Sequence, residues 1–501
     1  MISAIIMGVL YLFIGLSSDT NNLEKQILIE KKEHPREKRD SFEEKGLHYS
    51  NVVGKLPLWL NGRFIHISPA QYTLGDEKIW HFFDGFGLLT SYTFSGDKIG
   101  VCSRLLKTDQ LKASLSEGKI NLLGFAENFG EFFPLRTTSD GQKACTSNAN
   151  INVMRLGEHY LALGEIPMPV EFNPETLATE GMFDYADDLP KKDAWESAHP
   201  KKDPETGIVY NIMYGFGFMS DLIIYKFNEK TLSREKIASH HVSYASYVHD
   251  FSITKRFIVI VAYPLVVNPW DLNGIREKST ESSFIGAFKW KPDQGTIVSV
   301  FDKNDGSLVQ EFKLPPFFAL HHVNAYENAN GQIALSLLAY DDPKIILDLA
   351  LFPDGNISPS NIRTITLDFQ SKKASLKTVS NISCDFPVVP DKLLGREFRY
   401  FYAVCFNNCD DKRNGLMKYD LLQGKQQIFY RQGLLFGEPV FVPKPDGRSE
   451  DDGVLLVVGR NDEGYSLFVI DASTMEELAH ASFKGAAATQ LHGHYFGKKP
   501  V

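Results

Sequence analysis

Cysteine is scarce in this chain: 501 residues carry five, Cys102, Cys145, Cys384, Cys405 and Cys409. So odd and scattered a set excludes a disulfide framework as the source of the fold. Cys405 and Cys409 could pair or bind metal, but two thiols without a second pair are thin support for a metal site. All five read as ordinary thiols. Positive charge is also in short supply. With 53 Lys and Arg against 62 Asp and Glu, the net charge is −9, which argues against nucleic acid as a general partner. No apolar run beyond the first 18 residues is long enough for a membrane span. The zinc-hydrolase spacing His-Glu-x-x-His is absent as well.

Apolar and aromatic residues are plentiful, at 43% and 12% of the chain, enough for a large core. Met1 to Ser18 is apolar and ends in Gly-Leu-Ser-Ser, which reads as a signal peptide or anchor despite the missing positive start. It places the protein in the secretory pathway or outside the cell; the alternative is an intracellular protein associated peripherally with a membrane. Residues 19–47, crowded with Lys, Glu and Arg, read as a solvated charged linker. From His48 to the end, residues 48–501, short β-branched and aromatic runs alternate with turn clusters, the pattern of one all-β domain. Arg104 to Lys119 is the best helical stretch, and Ala186 to Asp203 reads as an irregular insertion.

A turn motif recurs. An aromatic or aliphatic residue precedes an Asn, Asp or Gly turn at Phe94, Phe172, Phe227, Phe301, Leu367, Tyr419 and Ile470, in steps of 78, 55, 74, 66, 52 and 51 residues. Each step accommodates one four-stranded blade with its insertions, so seven turns predict a seven-bladed β-propeller. Short polar side chains at such turns can bond the local backbone.

The stretch Pro316 to Glu327 carries two histidines, His321 and His322, at the end of an apolar run. Neutral imidazoles so placed suit Fe, Zn or Cu. A lone histidine there is more often a satisfied core residue, but this one has company. His199, His249, His321 and His492 follow their respective turns by 27, 22, 20 and 22 residues. That offset sets each of them on the strand nearest the propeller axis, where distant side chains converge. Asp385 and Glu438, 18 and 19 residues after their turns, arrive near the same centre. A carboxylate there can accept the second N–H of a ligating imidazole.

The motifs around these residues resemble the carotenoid cleavage oxygenases, in the animal branch that includes the retinoid isomerohydrolase. The resemblance runs from about His48 to Gly493. Asn61-Gly62-Arg63-Phe64 is similar to the opening strand of that family, and His81 to Leu89 to its His-x-Phe-Asp-Gly motif. Ser197-Ala-His199-Pro, Tyr247-Val-His249-Asp-Phe, His321-His-Val-Asn324 and Leu491-His492-Gly match its four ligand motifs in order. The resemblance implies a propeller with helical and loop insertions over its top face and Fe(2+) on its axis, held by His199, His249, His321 and His492. It assigns Glu165, Asp385 and Glu438 to orient His249, His321 and His492. It leaves His322, His240, His241 and His494 out of the ligand set, and gives His81 a structural hydrogen bond.

Two departures stand out. The family has Glu where this chain has Asp385, one methylene shorter, so the bond to His321 must come through a backbone shift or a water. The Pro-Asp-Pro-Cys stretch of animal relatives is replaced around Leu123 to Leu135 by a segment containing Phe132 and Phe133, which could meet a membrane or cover the top face. The implied activity is oxidative cleavage, with O2, of a C=C bond in a carotenoid or apocarotenoid to carbonyl products. Retinyl-ester isomerohydrolysis and non-catalytic carotenoid binding are the alternatives. Phe132, Phe133, Tyr214, Phe216, Phe218, Phe317 and Phe318 are the candidate walls of an apolar substrate tunnel.

Overall fold

The computed structural model describes residues 26–27, 42, 44–120, 124–126, 136–137, 143–144, 147–191, 194–216, 220–268, 283–350, 357–409 and 412–497. The apolar segment 1–18, Phe132, Phe133 and Phe218 lie outside the described residues. Among them, seven antiparallel sheets of four to six strands follow one another along the chain as the blades of a propeller. The first blade combines Lys45–Asn51, Gly62–Gln71, Phe86–Ser95 and Lys98–Leu105 with the C-terminal strand Gly493–Gly497. The second to sixth span residues 152–182, 194–242, 252–314, 318–380 and 384–429, and the seventh spans 435–484.

Both ends of the chain close the ring. Gly493–Gly497 pairs with the first blade, Gly62 opposite Gly497 and His66 opposite Gly493. Val53–Gly54 pairs in turn with His480 and Ala479 of the seventh blade.

Strand composition follows position in the blade. Mid-blade strands such as Phe257–Ala262, FIVIVA, are covered on both faces by neighbouring blades and read as unbroken apolar runs. The outermost strands, such as Lys373–Ser380, KASLKTVS, are largely exposed and polar. All seven turn motifs fall in the same hairpin, the one joining the third and fourth strands counted outward from the axis. Their side chains do the expected work. Asn173, Asn228, Asp368, Asp420 and Asp471 each accept from two backbone N–H groups two and three residues on.

Several local expectations change. The helix is Asp109–Glu117, shorter than Arg104 to Lys119, because Lys98–Leu105 completes the first blade. Thr108 caps its first turn, and Gly118 ends it in the left-handed conformation at φ 66°. Ala186 to Asp203 is no insertion: Ala194–Glu196 and Lys201–Lys202 form the innermost edge of the third blade, with His199 between them. Its short polar pieces concealed a strand interrupted by a ligand-bearing turn. Lys45–Leu47 belong to the first strand, and Ile27 in the charged segment is buried in the core. Cys405 is disulfide-bonded rather than free.

Candidate metal centre

Each histidine reaches the axis from a different blade. His199 lies between the two short inner strands of the third, and His249 just precedes Ser252–Ile253 of the fourth. His321 lies within Phe318–Glu327 of the fifth, and His492 immediately precedes the closing strand Gly493–Gly497. One ligand atom from each can be chosen so that all four lie within 4.8 Å of one another, and all four residues are buried. His199 Nε2 is 3.0 Å from His249 Nε2, and His321 Nε2 is 3.3 Å from His492 Nε2. For metal–nitrogen bonds of about 2.1 Å, adjacent ligands of an octahedral ion stand about 3.0 Å apart.

The carboxylates settle which ring nitrogen faces inward. His249 Nδ1 lies 2.6 Å from Glu165 Oε1, His321 Nδ1 2.7 Å from Asp385 Oδ1, and His492 Nδ1 2.8 Å from Glu438 Oε1. With Nδ1–H donating outward, each Nε2 turns a lone pair toward the axis. Three convergent lone pairs repel one another unless a cation lies between them, so the donor set fits a metal ion. Among the described residues no carboxylate joins the donor set; the acids' negative charge stands one ring further out.

The acids are braced in turn. Tyr247 donates its hydroxyl to Glu165, 2.9 Å from Oε1, and Tyr340 donates to Asp385 Oδ2 at 2.6 Å. Gly493 N–H lies 3.3 Å from Glu438 Oε2. The shorter side chain of Asp385 bonds His321 directly. The backbone makes this reach: Phe386 adopts φ 57°, and the pairing register shifts between Asp385 and Val388. Phe386 N–H donates to the same oxygen, at 2.8 Å.

Burial depresses His199 well below the usual imidazole value, and the other three rings push it the same way. His492 is also lowered by burial, partly opposed by Glu438. Burial lowers His321 too, but Asp385 more than reverses it and His321 ends above its usual value. Asp385, which burial alone would raise, is held low by His321, Tyr340 and the Phe386 N–H. Two neighbouring histidines have other work. His322 bonds Ser252 and Tyr263, and burial lowers it to about 4. His81 meets Ile346 O at 2.9 Å and accepts from Phe83 N–H.

A cavity of about 1260 Å³, the solvent at its mouth included, opens onto His249, His321 and His492. Its walls are mostly apolar: Phe82, Phe83, Phe125, Trp195, Phe284 and Phe386, with Ile151, Leu320, Ile345 and Leu349. Asp84 holds one wall in place, accepting from Phe125 N–H and, at 3.0 Å, from Ala126 N–H. Tyr214, Phe216, Phe317 and Phe318 are not among the lining residues. Tyr214 stacks behind Trp195 at 5.4 Å, Phe317 and Phe318 pack on Tyr263, and Phe216 packs against the core. Part of the wall comes instead from residues next to the ligands and acids: Leu320, Phe386 and Leu491 adjoin His321, Asp385 and His492, and Tyr247 is two residues from His249. For those few, adjacency was the signal the sequence offered; Phe82, Phe83, Phe125 and Phe284 come from segments far from any ligand in the chain.

The family model described as Retinal pigment epithelial membrane protein matches residues 36–497. The chain belongs to this family. It is 28% identical over 491 residues to carotenoid cleavage dioxygenase 8, chloroplastic, of Arabidopsis thaliana, covering 89% of this chain and 83% of the relative. It is 25% identical over 515 residues to the mitochondrial carotenoid-cleaving dioxygenase of Homo sapiens, covering 89% and 88%. Among solved structures, cobalt-substituted Synechocystis apocarotenoid oxygenase superposes with a TM-score of 0.79 at 23% identity, over 92% of this chain and 97% of that one. An apocarotenoid oxygenase chimera gives 0.80 at 24%, over the same shares. At these identities the solved structures speak for the fold.

Proposed function

We propose that this family member is an iron-dependent dioxygenase that cleaves a C=C bond of a carotenoid or apocarotenoid to two carbonyl products. The observation that carries it is the meeting of a four-histidine donor set with an apolar, aromatic-walled cavity in one place. When bound, Fe(2+) would supply open coordination positions where O2 is bound and activated, the conjugated alkene itself giving up the electrons that reduce it. The chain does the rest. His199, His249, His321 and His492 hold the ion, and Glu165, Asp385 and Glu438 keep three of the rings in the ligating tautomer. The aromatic walls bind a polyene by burying it and exclude water from the reacting bond. The two curated relatives above carry names that specify carotenoid cleavage.

The test is anaerobic loading with Fe(II), then addition of carotenoids, apocarotenals and, separately, retinyl esters under labelled O2. Two carbonyl products, each carrying label, support the proposal. Product formed without O2 consumption transfers the iron to ester isomerohydrolysis, and full iron loading without any product leaves a carrier.

Secretion is part of the same proposal, resting on the apolar Met1 to Ser18 and supported by the disulfide at Cys405, a bond favoured in oxidising compartments. Recovery of an intracellular protein that retains Met1 to Ser18, by mass spectrometry, overturns it. Contact with a membrane surface is tested by flotation of the full chain with neutral lipid vesicles. No helix among the described residues is long and apolar enough to cross a bilayer.

A further inference from the structure

We propose that Tyr340 is a positioning residue for the metal centre: it locks the short carboxylate of Asp385 against His321, and the centre's affinity for iron depends on that lock. The inference rests on the metal-site reading above and deepens it.

Asp385 is the shortest of the three acids, and the structure treats it differently from the others. Glu165 receives His249 on Oε1 at 2.6 Å, and the Tyr247 hydroxyl straddles both its oxygens, 2.9 Å from Oε1 and 3.2 Å from Oε2. Glu438 receives His492 on one oxygen and only a long backbone contact, 3.3 Å, on the other. In Asp385 the two oxygens are divided: Oδ1 takes His321 Nδ1 and Phe386 N–H, while Oδ2 takes the Tyr340 hydroxyl at 2.6 Å. The final torsion of an aspartate is broad, so a carboxylate held at one oxygen is free to twist. Twisting lifts Oδ1 away from an imidazole that has no reserve of chain length to follow. A hydrogen bond on the opposite oxygen stops that rotation.

Placement makes Tyr340 rigid enough for the task. It ends the strand Ile333–Tyr340 of the fifth blade, opposite Phe318 at the head of the strand that carries His321. Asp385 belongs to the inner strand Cys384–Val388 of the sixth. One hydroxyl therefore ties the acid to the blade that bears its histidine. Tyr340 and Asp385 are both buried, at 3% and 4% exposed, so water does not substitute freely for the hydroxyl.

The same geometry makes tyrosine and aspartate a matched pair. With contacts of 2.6 and 2.7 Å on either oxygen, Asp385→Glu pushes an extra methylene between Tyr340 and His321. Removing the hydroxyl by Tyr340→Phe opens room on one side.

The experiment measures Fe(II) dissociation constants, anaerobically and by chelator competition, for the parent, Tyr340→Phe, Asp385→Glu and the double variant. The visible spectra of the Co(II)-loaded proteins and the melting temperatures of the metal-free ones are recorded alongside. The expected result is roughly tenfold weaker Fe(II) binding for each single variant, the scale seen when a ligand loses its outer partner. The double variant should lose less than the product of the two single losses, and Tyr340→Phe should alter the Co(II) spectrum. A tyrosine that merely fills space would lower the metal-free melting temperature and leave affinity and spectrum at parent values; that result overturns the proposal, as does strict multiplication of the two losses. A parent chain that takes up no Fe(II) sinks this inference together with the metal-site reading, whereas a parent that binds iron indifferently to Tyr340 sinks this inference alone.

Discussion

Glu196 shows how much one buried group can impose on this protein. It is 4% exposed, accepts the Tyr225 hydroxyl at 2.5 Å, and is raised to about 7, mainly by burial, against the opposing charge of Arg234. The unfolded chain ionises this glutamate near 4.5, so between about pH 4.5 and 7 the folded state holds the extra proton. Stability from this group is full below the lower value and is lost as pH rises through the upper one. Glu196→Gln cannot ionise and still offers an oxygen to Tyr225. Relative to the parent it should gain up to about 3 kcal/mol between pH 4.5 and 8, read by urea unfolding at each pH. A difference flat across that window refutes the assignment. At the metal centre, replacing His321 or His492 by alanine should weaken Fe(II) binding by far more than tenfold, read by metal analysis after gel filtration.

Much of the centre was legible at this scale because offsets from the turns survive insertions in the outer strands. His199, His249, His321, His492, Asp385 and Glu438 share a near-constant distance from the preceding hairpin, so counting residues locates the axis. The wall residues were not legible in that way. Phe317 and Phe318 sit near His321 in sequence, yet they pack on Tyr263 while Leu320 takes the cavity. Which residues of a strand face the axis depends on register, and the register of Phe318–Glu327 shifts twice, between Ala319 and His322 and between His322 and Asn324. Period-two counting fails across such bulges.

Among the elements, the segment after Asp84 and the closing strand carry the sharpest consequences. Asp84 holds Phe125 and Ala126 by their backbone N–H groups, and the Phe125 ring packs on His81, Phe83 and Tyr247. Asp84→Ala leaves those two donors without that acceptor and should cost about 1–3 kcal/mol in urea unfolding. It should also raise KM for an apolar substrate more than it lowers kcat, because the cavity wall loosens while the metal ligands stay. At the other end, a Cβ on Gly493 would stand 2.6 Å from His66 Cβ and 2.8 Å from Ile65 O. Gly493→Ala must therefore part the closing strand from the first blade, displacing His492 beside it. A lower melting temperature and weaker Fe(II) binding should appear together. The inner edge of the third blade escaped sequence reading because Ala194–Glu196 and Lys201–Lys202 are too short to show a strand period.

Taken as a whole molecule, the propeller brings ligands from four of its seven blades to one ion. Such an ion binds the folded chain and not the unfolded one, so saturating metal should stabilise the protein globally. At a hundred times the dissociation constant the gain is about 2.7 kcal/mol, visible as a higher melting temperature that a chelator reverses. A melting temperature indifferent to metal would place the ion outside the ring's cohesion.

The fourth ligand stands directly before the strand that shuts the ring, Gly493–Gly497, which pairs with Gly62–His66 of the first blade. His492 reaches the axis only when that seam zips, so closing the wheel and completing the chelate are one event. A molecule sprung open at the seam would keep three donors and surrender the fourth.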